Sequence, residues 1–260
     1  MIKVEKDFTD IPSILKNHLR EEAFNHNVAS SSYDDAKNRY KVRSVQNKLN
    51  DIYHLKCAYC EQKLLDAPKH IEHYRPKKTY YWLAYSWDNL LLSCGSCNSA
   101  KGDRFAIRNA QRTYAKETFT QIHNLSSSYN STEEPMIINP EEEDVLKLII
   151  FDKEGLLSSK DRRVQHTIED ACHLNREELV QLRMEIIQNF INRMDEHYLY
   201  FKRHKDLTRF LPDIQNFKKN CKVENSFYAF RYFVIENIEL FFDENRALQK
   251  IVKGLFSKID

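Results

Sequence analysis

Four of the six cysteines in this 260-residue chain fall into two Cys-x-x-Cys pairs, and this spacing constrains the fold more than any other feature of the sequence. The pairs are Cys57 with Cys60 and Cys94 with Cys97, and residues 61–93 separate them. Two such pairs supply four thiolates, the number that completes a tetrahedral zinc site. Because a four-thiolate site leaves no open position for water, we expect a structural zinc rather than a catalytic one.

Two other interpretations of the cysteines remain open. The pairs could be unrelated buried thiols, or one of them could be a redox motif, although neither lies in the βαβ context of such motifs. The interval between the pairs is longer than in a zinc finger, so we expect a folded unit between them. Cys172 and Cys221 stand alone and are expected to be buried apolar residues.

The chain between and just after the cysteine pairs carries side chains suited to hydrolysis. A His-Ile-Glu-His run ends at His73, Asn89 precedes an apolar run, and Asn98 directly follows Cys97, the last of the paired cysteines. Histidine is the side chain that can accept a proton at neutral pH. Carboxylate and amide oxygens are the ligands that magnesium prefers. A base beside oxygen ligands indicates metal-assisted hydrolysis.

The motifs CAYCE, IEHYRPK and WDNLLLSCGSCNSAKGD resemble those of HNH nucleases, and most closely the HNH subunits that accompany retrons and Septu-type anti-phage systems. This specific likeness runs from Cys57 to Arg104. A weaker likeness continues through 139–155 and 167–179. The resemblance implies a ββα-metal fold, cleavage of nucleic acid with a divalent metal, and an ATPase partner in anti-phage defence.

The resemblance also assigns roles to individual residues. It implies that His73 is the general base, that Glu72 and Asn98 hold the catalytic metal, and that Asn89 fixes the loop that holds the histidine. Many relatives have histidine where this chain has Asn98, which favours Mg²⁺ or Mn²⁺ over zinc. The expected phosphate contacts are Arg75, Lys77, Lys78 and Lys101, of which Lys101 also counts among the catalytic residues.

Three details of this site stay open at the level of sequence. Adjacent strand residues point to opposite faces, so Glu72 and His73 need a distorted strand, or a bend before Pro76, to serve one metal. His70 either replaces a ligand or merely precedes the motif, and the second role is the commoner one. The aromatic residues that follow could stack on bases, but we expect them to pack in the core: Tyr80, Tyr81, Trp82, Tyr85 and Trp87.

The apolar pattern predicts an α+β fold that is mostly α-helical. We expect an N-terminal helical segment at 1–56 with helices at 11–25 and 33–54, the zinc-braced HNH core at 57–122, a linker and β-hairpin at 123–159, and a C-terminal α-helical lobe at 160–260. The hairpin would pair MIINP (136–140) with LKLIIFDKEGLL (146–157). The helical lobe is the candidate surface for a partner.

Charge and hydropathy add little to this prediction. A formal net charge of +2 does not by itself indicate nucleic-acid binding. The basic stretches at 54–105 and 202–222 could contact phosphates, but solvated helix faces are the better explanation. No apolar run is long enough to span a membrane and the N-terminus does not resemble a signal peptide, so we expect a cytoplasmic protein.

The leading hypothesis is therefore a metal-dependent HNH endonuclease that acts on DNA, tRNA or another RNA. An inert zinc module that binds nucleic acid or protein would not need His73, Glu72 and Asn98 together. A stand-alone restriction-type HNH nuclease would need a module that reads sequence, and no helix-turn-helix or repeated module is evident.

Overall fold

A computed structural model describes residues 1, 3–37 and 39–258 of the chain. The chain divides into two compact units. The first consists of Met1–Leu148 with Ser159–Leu174, and the second consists of Ile149–Ser158 with the residues from Asn175 onward. The N-terminal segment and the nuclease core, which the sequence analysis separated, belong to one unit.

Both N-terminal helices begin later than predicted, and the first also ends later. A single 3₁₀ turn, Ser13–Lys16, precedes α1 (His18–Ser30), and the side chain of Asn17 caps α1 by accepting from the amide of Arg20. The second predicted helix is another 3₁₀ turn, Asp35–Lys37, followed by α2 (Arg43–Ile52). Val42 has an extended backbone (φ −121°), so α2 starts only after it.

Two antiparallel strands and one helix form the centre of the first unit. Strand β1 (Lys69–His73) pairs with β2 (Leu90–Cys94) in a register that sets Lys69 opposite Cys94 and His73 opposite Leu90. Helix α3 (Gly95–Lys101) follows β2 without a loop. Every residue of β2 is buried, which fits its apolar sequence. The predicted α+β fold with a ββα core is confirmed.

The segment between β1 and β2 is an aromatic core with two 3₁₀ turns, Tyr81–Leu83 and Trp87–Asn89. Four of its aromatic side chains are at most 2% exposed: Tyr80, Trp82, Tyr85 and Trp87. The Lys6 ammonium lies 4.2 Å from the centre of the Trp87 ring. Core packing, rather than stacking on bases, is confirmed for these four residues.

Residues 123–135 are folded, although their polar composition predicted a linker. They form the 3₁₀ turn Ile122–Asn124 and the short helices α4 (Leu125–Ser128) and α5 (Asn130–Glu133). The carboxylate of Glu133 is fully buried because it pairs with the guanidinium of Arg75 at 2.9 Å. The sequence does not show that the charge of Glu133 is neutralised inside the core, so its segment has the polar composition of an exposed linker although it is folded.

The predicted hairpin exists, but its partners differ from those expected. Strand β3 (Ile149–Phe151) lies within the second of the two runs and pairs with β4 (Leu157–Ser159), which begins at the last residue of that run. The MIINP run lies in no strand; instead the amide of Ile138 donates to Thr167 Oγ1 at 2.9 Å. Helix α6 (Arg162–His166) and the π-helical turn Thr167–Ala171 complete the first unit.

The second unit holds the predicted helical lobe. It contains α7 (Glu177–His204), α8 (Phe210–Lys219), α9 (Tyr228–Glu236), the 3₁₀ turn Ile238–Phe241 and α10 (Arg246–Phe256). Phenylalanine rings form much of its core, with Phe190 and Phe217 centred 4.7 Å apart. Among the described residues, no helix combines the length and the apolar character needed to cross a lipid bilayer.

Candidate active site and metal centre

The four paired cysteines meet at one point in the first unit. Their sulfur atoms all lie within 4.8 Å of one another, and all four residues are buried. Cys60 Sγ and Cys94 Sγ are 3.8 Å apart, well beyond the length of a disulfide bond. Four buried thiols that converge in this way could hold a zinc ion, as the spacing of the pairs predicted. Of the two remaining cysteines, Cys172 is buried and Cys221 is half-buried.

Cys94 links this metal centre to the ββα core. It is the last residue of β2, and its sulfur accepts a hydrogen bond from the amide of Cys97 at 3.3 Å, which caps α3. Asn98 and Lys101 lie on the same short helix. The thiol cluster therefore fixes the position of α3 and of the two polar side chains that α3 presents to β1.

His73 is the last residue of β1, and its imidazole is held from two sides. Its Nε2 lies 3.0 Å from the carbonyl oxygen of Ala84, and the ring of Tyr40 meets it edge-on with centroids 4.5 Å apart. Because a carbonyl only accepts, Nε2 carries the proton and Nδ1 keeps its lone pair. Burial lowers the pKa of His73 to about 3, so the imidazole is neutral at pH 7.

Glu72 turns toward α3 instead of toward Ala84. Its Oε1 accepts from Lys101 Nζ at 2.8 Å, and its Oε2 accepts from the side-chain Nδ2 of Asn98. Lys101 Nζ also donates to the carbonyl oxygen of His73 at 2.7 Å. Lys101 thus bridges the carboxylate of Glu72 and the backbone carbonyl of His73, the last residue of β1.

Glu72 and His73 nevertheless line one cleft, of about 190 Å³. The strand ends at His73, so the two side chains need not belong to opposite faces of a continuing sheet. Asn98 lines the same cleft, and His70 lies at its edge. Three residues that sequence reasoning overlooked also border it: Tyr40, Lys41 and Gly102.

Asn89 lies outside this cleft and fastens the loop that follows β1. Its Oδ1 accepts from the amide of Arg75 at 2.7 Å, and its Nδ2 donates to the carbonyl oxygens of Arg75 and Leu83 at 3.0 and 3.2 Å. Leu83 directly precedes Ala84, whose carbonyl holds His73. Asn89 therefore joins the two chain segments between which the imidazole sits.

The four cations expected at phosphates occupy different surroundings. Arg75 points into the core, where its guanidinium bonds to Glu133, Ser126 and Asn130, so it lies away from the cleft. Lys101 is fully buried against Glu72. Lys77 and Lys78 are closer to solvent and form ion pairs at 2.7 and 2.8 Å with the carboxylates of Asp35 and Asp103, respectively.

The overlooked residues Tyr40 and Lys41 carry no motif. They precede α2 in a segment that the apolar pattern assigned to a helix, and they reach the cleft only because α2 packs beside the strands. A basic pair, Lys41 and Arg43, is visible in the sequence. It did not stand out against the other charged residues of a chain in which 30% of residues are charged.

Comparison with known proteins agrees with this geometry. The HNH endonuclease family matches residues 57–104. Septu protein PtuB of Bacillus mycoides (strain KBAB4) is 29% identical over 235 residues, which cover 84% of this chain and 75% of that protein. Septu protein PtuB of Bacillus thuringiensis is 42% identical over 60 residues, 22% of this chain and 23% of the relative.

A third similarity is to Septu protein PtuA of Bacillus mycoides (strain KBAB4), at 25% identity over 152 residues. These cover 53% of this chain but only 20% of PtuA. The matched HNH residues are those that build the thiol cluster, the two strands and α3. The chain is thus a PtuB-like protein with an HNH endonuclease domain, a nuclease that hydrolyses phosphodiester bonds.

Proposed function

We propose that this chain is a metal-dependent endonuclease that cuts DNA or RNA, tRNA included, as the effector of a cytoplasmic anti-phage defence system. One observation carries the catalytic part of the proposal. His73 is held through Nε2 by the carbonyl of Ala84, so that Nδ1 keeps an unprotonated lone pair, and it borders the same cleft as Glu72 and Asn98.

His73 acts on the attacking water. Its Nδ1 accepts a proton while the water oxygen forms a bond to phosphorus, and the bond from phosphorus to the 3′ oxygen breaks. The leaving 3′ oxygen takes a proton from solvent. The bond from Nε2 to Ala84 orients the ring throughout and stabilises the imidazolium that forms.

Glu72 and Asn98 fit a hard divalent cation such as Mg²⁺ or Mn²⁺. They bring a carboxylate and an amide together at one place, which is few enough protein ligands to leave positions for water and phosphate oxygens. When bound, such a cation stabilises the negative charge that develops on the phosphate and on the leaving oxygen. Asn98 would offer its oxygen after rotating the amide, whose orientation follows from its bonding partners.

Lys101 is a positioning residue in this scheme. Its ammonium bonds to Glu72 Oε1 and to the carbonyl of His73, and its side chain is fully buried. It cannot meet a phosphate without leaving those partners, and it neutralises the carboxylate in the absence of substrate. Lys77 and Lys78 lie nearer to solvent and remain candidates for phosphate contact after exchange of their carboxylate partners.

The thiol cluster is proposed to hold a structural zinc ion. Four buried thiols would be costly as thiolates without a cation, and their convergence within 4.8 Å matches tetrahedral coordination. The zinc would take no part in hydrolysis because its coordination would be complete. Its contribution is to hold α3, and with it Asn98, against β1.

The defence role and the partner rest on the relatives. The proteins similar to this chain are Septu proteins named PtuB and PtuA, so we propose that the chain works beside a second Septu protein, an ATPase that restrains or directs the nuclease. An inert zinc module is the weaker alternative, since a module that only binds would not require a neutral histidine oriented beside oxygen ligands. A stand-alone restriction-type nuclease lacks support from any sequence-reading module.

The test is cleavage of labelled plasmid DNA and of total tRNA by the full chain, with and without its partner, in Mg²⁺ or Mn²⁺. His73→Ala should reduce cleavage by about a hundredfold or more, as loss of a general base does. His18→Ala is the matched control, because His18 is an exposed histidine on α1, and it should cut like the wild type.

Removal of the added divalent ion should also stop cleavage while the bound zinc, measured in parallel, stays in place. If wild type and His73→Ala are equally inactive with the partner present, the chain is an inert zinc module. Unchanged cleavage in His73→Ala would overturn the role of the histidine.

A further inference from the structure

A second concave surface adjoins the active-site cleft, and no motif includes it. It is a groove of about 500 Å³ between the start of α2 and the start of β1, lined by Lys41, Val42, Arg43, Gln46, Lys69, His70 and Ile71. Three of these residues, Lys41, His70 and Ile71, also line the active-site cleft. The groove is therefore continuous with the place where His73, Glu72 and Asn98 meet.

The charged side chains that line the groove are all basic. The groove contains Lys41, Arg43 and Lys69, and none of the described residues that line it is acidic. Lys41 and Arg43 are exposed, and Lys69 is half-buried. Positive charge concentrated in a concave surface attracts the phosphates of a nucleic-acid strand more effectively than the same charge spread over a surface.

These three cations differ from the lysines of the HNH motif in one respect. Within the described part of the chain, none of the three forms an ion pair with a carboxylate, whereas Lys77 and Lys78 do, and Lys101 is buried against Glu72. Lys41 lies over the Tyr40 ring at 5.7 Å, and Lys69 Nζ reaches only the carbonyl of Leu65, at 3.5 Å. A phosphate would displace no carboxylate from them.

The two walls of the groove are held together. Gln46 Nε2 on α2 donates to the carbonyl oxygen of Lys69 on β1 at 3.0 Å. The first turn of α2 contains no acidic residue, so the helix adds positive potential at the same end. The hydrogen bond from Gln46 holds the first turns of α2, which carry Arg43, beside the first residue of β1, Lys69.

We propose that this groove binds the phosphates that flank the scissile bond, so that Lys41, Arg43 and Lys69 hold the nucleic-acid strand as it enters the active site. This inference rests on the proposed nuclease function and names the part of the chain that holds its substrate. A nucleic-acid strand that lies in the groove runs past Lys41 into the cleft, where its next phosphate lies beside His73. The contacts are to the backbone and carry no sequence preference.

The experiment measures binding separately from cleavage. Full-length His73→Ala is titrated into fluorescein-labelled DNA duplex, the corresponding single strand and a tRNA, each over a range of salt concentrations. The combined variant Lys41→Ala, Arg43→Ala, Lys69→Ala is made in the same background. Its control removes the same charge elsewhere in the first unit, through Lys3→Ala, Lys147→Ala and Lys160→Ala, three exposed lysines that line neither the groove nor the cleft.

Affinity falls as salt rises, and loss of three phosphate contacts should make the plot of log affinity against log salt less steep, by about 2 to 3 units of slope. This change should appear for the nucleic acid that binds in the groove, whose affinity at moderate salt should fall about tenfold or more. The control variant should retain the slope. Thermal melting and zinc content of each variant show whether it is folded. The nucleic acid whose slope changes is the one that the groove takes.

Equal loss in the groove and control variants would overturn the proposal, because net charge alone would then explain binding. Unchanged nucleic-acid binding with loss of partner co-purification would also overturn it and would assign the groove to a protein. If the groove variant behaves as expected but the wild type never cuts, the groove proposal stands as a binding site and the proposed nuclease function fails.

Discussion

At the scale of single residues, two side chains of the same motif lie in different surroundings: His73 borders the active-site cleft, whereas the guanidinium of Arg75 is buried against Glu133. His73, Glu72 and Asn98 could be chosen because a base and two oxygen ligands stand in a specific motif, and the structure brings them to one cleft. The role of Arg75 could not be predicted in this way. A guanidinium suits a phosphate or a buried carboxylate equally well, and the carboxylate it pairs with belongs to Glu133, far along the chain.

Asn89 offers a test at this scale. Asn89→Ala removes its buried hydrogen bonds to Arg75 and Leu83, so we expect the free energy of unfolding to fall by about 2 to 4 kcal/mol and cleavage to be largely lost. Urea unfolding and the cleavage assay measure both effects.

The matched variant is Asn89→Asp, which retains the acceptor for the amide of Arg75 but loses the donors to the two carbonyls. It should be destabilised and inactive as well, because the loop remains unfastened. An alanine variant with wild-type stability and activity would show that the loop holds His73 without Asn89.

At the scale of elements, the spacing of the cysteine pairs predicted the thiol cluster, and the resemblance to HNH nucleases predicted the two strands and the helix beside it. Apolar periodicity misplaced the elements around them. The start of α2 did not follow from the sequence, because the apolar pattern continues past residues whose backbone is extended. Residues 123–135 were read as a linker because the ion pair that buries Glu133 depends on a residue from another part of the chain.

The metal centre can be tested separately from the helix cap. Cys94→Ser keeps a side-chain acceptor for the first turn of α3 but removes one of the four thiols. We expect the variant to lose its zinc and several kcal/mol of stability, and to stop cutting because Asn98 is no longer held against β1. Zinc content by mass spectrometry, thermal melting and cleavage are the measurements.

Cys221→Ser provides the control, since Cys221 lies outside the thiol cluster on the second unit. It should keep both zinc and activity. Full zinc occupancy in Cys94→Ser would contradict the four-thiol centre.

At the scale of the whole molecule, the sequence predicted two kinds of region, a metal-organised core and a helical lobe, but not the course of the chain between them. Residues 159–174 belong with the first unit, although their helical pattern placed them in the lobe. Long-range hydrogen bonds decide this, such as the one from Ile138 to Thr167, and a local pattern cannot show them. The four predicted segments therefore do not coincide with the two compact units.

The first unit should lose stability as the pH rises toward 8, in part because of Asp88. This carboxyl is buried and accepts from the amide and hydroxyl of Ser127 at 2.8 and 2.9 Å, and burial raises its pKa to about 6. A carboxyl whose pKa is higher in the folded state binds its proton more tightly there than in the unfolded chain. Its contribution is fully present below about pH 4 and is lost as the pH rises through 6.

Asp88→Asn should remove this dependence while keeping an acceptor for Ser127. Relative to the wild type, the variant should gain about 1 kcal/mol in free energy of unfolding between pH 5 and pH 8. Urea unfolding at the two pH values measures the difference. If the difference in free energy of unfolding between the variant and the wild type stays constant with pH, Asp88 does not titrate in this range.

The position of Cys94 limits which type of zinc ligand the chain can carry there. Zinc binds imidazole nearly as readily as thiolate, so the metal alone would admit histidine at any of the four positions. Cys94 must also end β2 and cap α3 with an atom close to its own backbone, which a longer, planar ring would not reproduce. Histidine in place of Cys94 would therefore keep a ligand for zinc but lose the cap of α3, so this position accepts fewer ligand types than the metal alone would allow.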